Sequence, residues 1–151
     1  MSTKLPTILI DTREQNPFVF RGYPVIRKGL KYGDYSLKGH TGLVVIERKS
    51  LADLFQTVSR KDNFARFCNE LDGIKNTVKY KFILVEANPT GLMCGYKYSM
   101  ANGSLLMDKL MSIGMKYDIT IVFGGDRCGA ERLALSILKA ALVAEASANS
   151  K

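Results

Sequence analysis

The stretch Leu43-Val44-Val45-Ile46 is apolar at every position and runs directly into Glu47-Arg48-Lys49. Strand side chains alternate between two faces, so a strand that is apolar throughout is covered on both. Such a strand belongs at the centre of a sheet, with helices above and below it. The remaining pattern supplies those layers. Thr7-Ile8-Leu9-Ile10 is a short apolar run ending at Asp11, Tyr80 to Glu86 contains Phe82-Ile83-Leu84-Val85, and Ile119 to Phe123 is a last strand. Phe18 to Lys38, rich in Gly and Tyr after the Asn16-Pro17 break, reads as short antiparallel strands and turns. Ser50 is placed to cap a helix from Leu51 to about Val58. A second helix is expected from Asn63 to Asp72, with Phe64, Phe67, Cys68 and Leu71 at helical spacing and Gly73 as its stop. Ser104 caps a helix from Leu105 to about Tyr117. After Gly124-Gly125, a helix from about Gly129 to Ala146 carries Leu133, Ile137, Leu138 and Ala141 on one face. The expected class is α/β, a mixed central sheet with helices on both faces. One domain over residues 1–151 fits, with its core at about 7–146 and a polar, frayed tail at 147–151.

Charge narrows the partner. Lys plus Arg total 22 against 14 acids, a net charge of +8 and a pI near 9.5, which favours a polyanion bound with strong salt dependence. No stretch approaches the ~20 apolar residues that cross a bilayer. The opening Met1-Ser2-Thr3-Lys4-Leu5-Pro6 has no secretory pattern. Cys68, Cys94 and Cys128 are widely spaced with no C-x-x-C pair, as expected of reduced thiols in a cytoplasmic or nuclear compartment.

The chemistry gathers where the central strand ends. Alternation puts Glu47 and Lys49 on one side and Arg48 on the other. Asp34 lies 13 positions before Glu47, across the Gly-rich turn Lys38-Gly39-His40-Thr41-Gly42. If these segments form a hairpin, the two carboxylates lie side by side and repel unless a divalent cation joins them. Mg²⁺ suits such a pair, because it takes hard oxygen ligands and keeps waters for phosphate. The plainer alternative is a surface ion pair between Glu47 and Lys49. A further acid, Asp11, ends the first strand and opens Asp11-Thr12-Arg13-Glu14. His40, the single histidine, sits in the turn and reads as exposed. The methionines from Met100 to Met115 read as helix packing, and no phosphate-loop sequence is present.

Asp, then Glu-x-Lys after a hairpin, is similar to the signature of restriction-endonuclease-like nucleases. The match extends further. Gly33-Asp34-Tyr35 followed by Glu47-Arg48-Lys49-Ser50-Leu51-Ala52-Asp53 resembles the G-D…E-R-K-x-x-x-D motif of the XPF-type structure-specific endonuclease family. Asp11-Thr12-Arg13-Glu14 resembles the D-x-R-E that opens its nuclease domain. Phe82 to Glu86 and Ile119 to Leu138 are similar to later elements, so the resemblance spans roughly residues 8 to 140.

That resemblance implies a restriction-endonuclease-like three-layer sandwich and a Mg²⁺- or Mn²⁺-dependent endonuclease on branched, flapped or junction DNA, in repair, recombination or viral DNA processing. It implies Asp11, Asp34 and Glu47 as metal-site acids with the Arg48 carbonyl beside them, Lys49 as the catalytic lysine, and Glu14 and Asp53 as supporting polar residues. Arg48 is either a brace paired with Asp53 or a phosphate contact. Arg13, Arg27, Lys28, Lys31, Arg60, Lys61 and Arg66 are the candidates for DNA contact. Tyr32 and Tyr35 either stack on a base or join the core. The family's helix-hairpin-helix and helicase-like parts have no counterpart in these residues, so grip on DNA is expected from the basic face, a homodimer or a separate subunit. The alternative function is a catalytically silent DNA-binding subunit on the same fold. The intact acids and Lys49 favour the enzyme.

Overall fold

The central apolar run, apart from Leu43 in the preceding turn, lies in a seven-residue strand, Val44–Ser50, and its neighbours on both sides follow from the sequence pattern. A computed structural model describes residues 4–95 and 102–150; Met100 and Lys151 lie outside the described residues. In chain order the elements are β1 (Ile8–Ile10), β2 (Val25–Arg27), β3 (Tyr35–Leu37), β4 (Val44–Ser50), α1 (Leu51–Ser59), α2 (Lys61–Thr77), β5 (Tyr80–Glu86), α3 (Pro89–Met93), α4 (Gly103–Lys116), β6 (Thr120–Phe123) and α5 (Arg127–Asn149). The strands form one six-stranded sheet in the order β2-β1-β3-β4-β5-β6. β3 runs antiparallel to β1 and β4, whereas β4, β5 and β6 run parallel.

Both faces of β4 are covered, as its apolar run requires. Val44 and Ile46 pack with Ile8, Ile10, Tyr35 and Leu84 beneath α5, through Ala130, Ala134 and Leu138. Val45 packs on the other face with Leu54 and Phe55 of α1, Phe67 and Leu71 of α2, and Leu110 of α4. The result is the expected α/β sandwich of three layers.

Several local expectations are corrected. β2 pairs with β1 in parallel, not antiparallel. It is a three-residue exposed edge strand, so its pairing comes from the loop that carries it back and not from its own pattern. α2 starts at Lys61 and continues through Gly73. A Cβ there would lie 2.3 Å from the Tyr32 ring, so this glycine makes room for an aromatic side chain instead of ending the helix. The α4 cap is Asn102, whose side chain accepts from the Ser104 and Leu105 N–H groups at 2.9 and 3.3 Å. α5 begins at Arg127, capped by Asp126, and remains helical through Asn149. The short α3 was not foreshadowed by periodicity. Among the described residues no helix is long and apolar enough to cross a membrane.

Candidate active site

Gly33 begins the site. Its φ of +76° is a left-handed conformation, and an added Cβ would meet the Val45 side chain at 2.2 Å, so only glycine fits. The next residue, Asp34, donates its backbone N–H to the Ile46 carbonyl at 2.9 Å. Its carboxylate accepts the Arg48 N–H at 2.8 Å. The β3–β4 hairpin thus exists, with Tyr35 opposite Ile46, and it brings Asp34 to the edge of the strand carrying Glu47. Because Ile46 and Arg48 direct these peptide groups toward Asp34, the Arg48 carbonyl shares that edge.

Glu47 is only 7% exposed. Lys49 projects from the same face of β4, with Nζ 3.7 Å from Glu47 Oε1, 3.4 Å from Thr57 Oγ1 and 4.7 Å from the Phe67 ring centre. Burial pushes the Asp34 carboxyl up to about 7; the Arg48 N–H opposes this, Glu14 and Glu70 add to it, and Lys49 counters them. Glu47 is pushed well above the carboxylate range, first by burial, then by Asp34 and Glu70, with Lys49 opposing. A half-buried acid, Asp34, and a buried one, Glu47, both resist ionisation near one ammonium. That is an electrostatic demand for positive charge.

Asp11 is also buried and touches Asp34 through the backbone, its N–H donating to the Asp34 carbonyl at 2.9 Å. Its carboxylate accepts from Leu30 N–H at 2.8 Å, Arg13 Nε at 2.7 Å and Arg13 N–H at 3.2 Å. Burial alone would raise this carboxyl, but those bonds outweigh it and hold the group below its ordinary range. Asp11 therefore stands ionised, tying together the loops after β1 and β2. Among the described residues, no three His, Cys, Asp or Glu side chains converge closely enough to hold a metal ion by themselves. Asp34 and Glu47 carry hard carboxylate oxygens, the donor chemistry that Mg²⁺ and Mn²⁺ take.

Arg48 occupies the opposite face as a brace. Its guanidinium bonds Glu14 Oε2 at 2.9 Å, the Asn16 carbonyl at 2.7 Å, the Tyr35 hydroxyl at 3.2 Å and Glu86, and lies 4.0 Å from the Phe18 ring centre. The expected partner Asp53 is not among these contacts. Its backbone N–H bonds the Ser50 cap at 3.1 Å, and Asp53 lines a cleft of about 540 Å³ with Arg13, Arg48, Glu86 and Arg127. The correction has a simple cause: Arg48 points across the sheet toward β5, whose last residue is Glu86, and not along the chain toward α1. Glu14 supports the site from this side, accepting the Tyr35 hydroxyl at 2.5 Å. Tyr35 is fully buried, which makes it core and not a stacking platform.

The basic candidates separate. Arg66 lines a 170 Å³ pocket with Lys49, Thr57, Asn63, Phe67 and Glu70. Arg60 and Lys61 are exposed at the α1–α2 junction. The Arg13 side chain, 70% exposed, pairs with Asp11. Arg27 donates to the Thr12 and Glu14 carbonyls at 3.1 and 2.6 Å, holding the loop after β1. Lys28 and Lys31 are exposed beside a separate cleft formed with Tyr32, Thr41 and Gly42. His40 is exposed, as expected.

Sequence reasoning missed Glu70 of α2, which accepts the Gly33 N–H at 3.2 Å. A signal was available: Phe67, Leu71 and Ile74 are the buried stripe of this helix, and Glu70 stands three residues after Phe67 and four before Ile74, an acid within an apolar stripe.

A mixed sheet between helical layers, with buried acids and an ammonium at the end of its central strand, defines a restriction-endonuclease-like nuclease fold. The sequence profile of the ERCC4 domain matches residues 10–127, and the chain belongs to the ERCC4 domain family, the XPF-type family its motifs resemble. Among solved structures, XPF from Aeropyrum pernix aligns with a TM-score of 0.69 at 21% identity, over 93% of this chain and 65% of that one. XPF from Aeropyrum pernix in complex with DNA aligns with a TM-score of 0.71 at 21% identity, over 91% and 65%. This chain therefore spans just under two thirds of their length, and at such identity the likeness is one of fold. Among curated proteins none matches.

Proposed function

We propose that this chain is a Mg²⁺- or Mn²⁺-dependent endonuclease that hydrolyses phosphodiester bonds in branched, flapped or junction DNA. The observation that carries the reading is a buried Glu47 carboxylate repelled by the half-buried Asp34 beside it, with Lys49 3.7 Å from Glu47. Membership of the ERCC4 domain family and a fold shared with an XPF that was solved with DNA support it. So does the net charge of +8. A divalent cation bound here would neutralise phosphate charge and activate water at neutral pH.

The chain's own groups supply the rest. Asp34 and Glu47 would hold the cation, with the Arg48 carbonyl at the same edge. Asp11 fixes the loop whose backbone meets Asp34, and Arg13, largely exposed, would reach a phosphate only by giving up its bonds to Asp11 and the Leu30 carbonyl. The Lys49 ammonium, kept in place by Glu47, Thr57 and the Phe67 ring, orients the attacking water and stabilises charge developing on the phosphate. Glu14, Glu86 and Arg48 hold β4 rigid from behind, so the acids need not reorganise when substrate arrives. A second copy or a separate subunit would extend the grip on DNA. The free thiols Cys68, Cys94 and Cys128 accord with an intracellular setting.

The test is cleavage of end-labelled flap, fork, duplex and single-stranded DNA with Mg²⁺, Mn²⁺ or EDTA. Branched DNA is cut with either metal and not with EDTA, and Lys49→Ala lowers the rate by roughly 10²-fold or more. Cutting that survives Asp34→Asn contradicts the site, and binding without cutting by homogeneous wild-type protein favours a DNA-binding subunit on this fold.

A further inference from the structure

Glu70 is an acid placed by α2 against a site already crowded with acids. Its charge adds to the repulsion on both Asp34 and Glu47, so its presence calls for a compensating contact. The contact is with the metal loop itself: Glu70 Oε1 accepts the N–H of Gly33, the residue immediately before Asp34. That N–H belongs to a left-handed turn pressed on the Val45 side chain. An amide left without an acceptor there would be desolvated with nothing to replace its lost water. Four hydrogen bonds hold this turn: Gly33 N–H to Glu70, Asp34 N–H to Ile46, Arg48 N–H to the Asp34 carboxylate, and Asp11 N–H to the Asp34 carbonyl. Two of them tie the loop to β4; only the first ties it to a helix. Glu70 also lines the same small pocket as Lys49, Thr57 and Arg66. One side chain thus spans the acid loop and the lysine pocket.

We propose that Glu70 is a positioning residue that sets cation capture by anchoring the Gly33-Asp34 turn to α2 through its acceptor oxygen. The proposal rests on the reading of Asp34 and Glu47 as cation ligands. Glu70 Oε1 is taken up by the Gly33 N–H, so its place is that of an anchor for the loop and not of a further metal-site acid. Its acceptor function follows from geometry and is separable from its charge.

Titration calorimetry with Mn²⁺ on the full chain tests this with Glu70→Gln, which keeps an acceptor, and Glu70→Met, which keeps the stem and removes it. Glu70→Gln is expected to bind Mn²⁺ within about threefold of wild type, and Glu70→Met at least tenfold more weakly. In cleavage, Glu70→Met raises the Mn²⁺ concentration for half-maximal rate by a similar factor, while the rate at saturating Mn²⁺ stays within about threefold. Thermal melts in EDTA verify that both variants fold. If wild type binds Mn²⁺ and Asp34→Asn does not, yet Glu70→Met binds like wild type, the role of Glu70 is overturned and the site stands. Equal weakening in both Glu70 variants also overturns anchoring, because charge would then be the active property. Wild-type protein that binds no Mn²⁺ overturns the site, and this proposal with it.

Discussion

Replacing Asp34 by Asn is expected to stabilise the metal-free protein while abolishing cleavage. Asn keeps an oxygen to accept the Arg48 N–H at the position where Asp34 now does so at 2.8 Å, so the change removes charge with little loss of geometry. The folded-state pKa of Asp34 is raised from 3.8 to about 7, first by burial. An acid with a raised folded pKa binds its proton better when folded, so its favourable contribution is complete below about 3.8 and is lost as pH rises through about 7. Fully ionised, such a group costs the fold on the order of 4 kcal/mol. Glu47 relaxes when its neighbour becomes neutral, but Lys49 loses an attractive partner. The net gain from Asp34→Asn at pH 8 is therefore on the order of 2–4 kcal/mol, or a Tm rise of roughly 5–15 °C for a chain of this size. Differential scanning calorimetry in EDTA at pH 4 and pH 8 measures it. The two proteins should melt together near pH 4 and diverge by pH 8, with Mn²⁺ restoring stability to wild type alone. Equal melting at both pH values, or an Asn variant less stable at pH 8, refutes the view that the Asp34 carboxylate is held here against its own desolvation and its acidic neighbours.

Other expectations follow from particular contacts. Arg48→Met strands Glu14 and Glu86 without their shared cation and should cost about 3–5 kcal/mol in urea unfolding; a cost below 1 kcal/mol would mark the brace as dispensable. Gly33→Ala forces a side chain into a left-handed turn against Val45, so a loss of about 3 kcal/mol is expected in the same assay. Arg66→Ala should weaken binding to branched DNA and flatten the salt dependence, with log K against log[salt] shallower by about one; an unchanged slope would remove Arg66 from the phosphate contacts.

How much of this was legible depended on whether the cause lay along the chain or across it. The non-alternating run at residues 43–46 disclosed a strand covered on both faces, and alternation past its end correctly sent Glu47 and Lys49 one way and Arg48 the other. The Gly-rich turn disclosed the hairpin that sets Asp34 beside β4. Arg48, by contrast, found Glu86 on a strand 38 residues away, a partner fixed by the parallel register of β4 with β5 and invisible to local spacing. Gly73 was misjudged because its neighbour Tyr32 arrives from another loop. Glu70 carried a legible sign, an acid within an apolar stripe, but its partner Gly33 lies across the fold.

If Asp34 and Glu47 hold a divalent cation at the end of β4 within reach of Lys49, an anomalous difference map from a crystal soaked in Mn²⁺ will show it. The prediction is one peak bridged by the Asp34 and Glu47 carboxylates, lost in Asp34→Asn. A peak elsewhere, or none while those carboxylates keep their present positions, contradicts the claim.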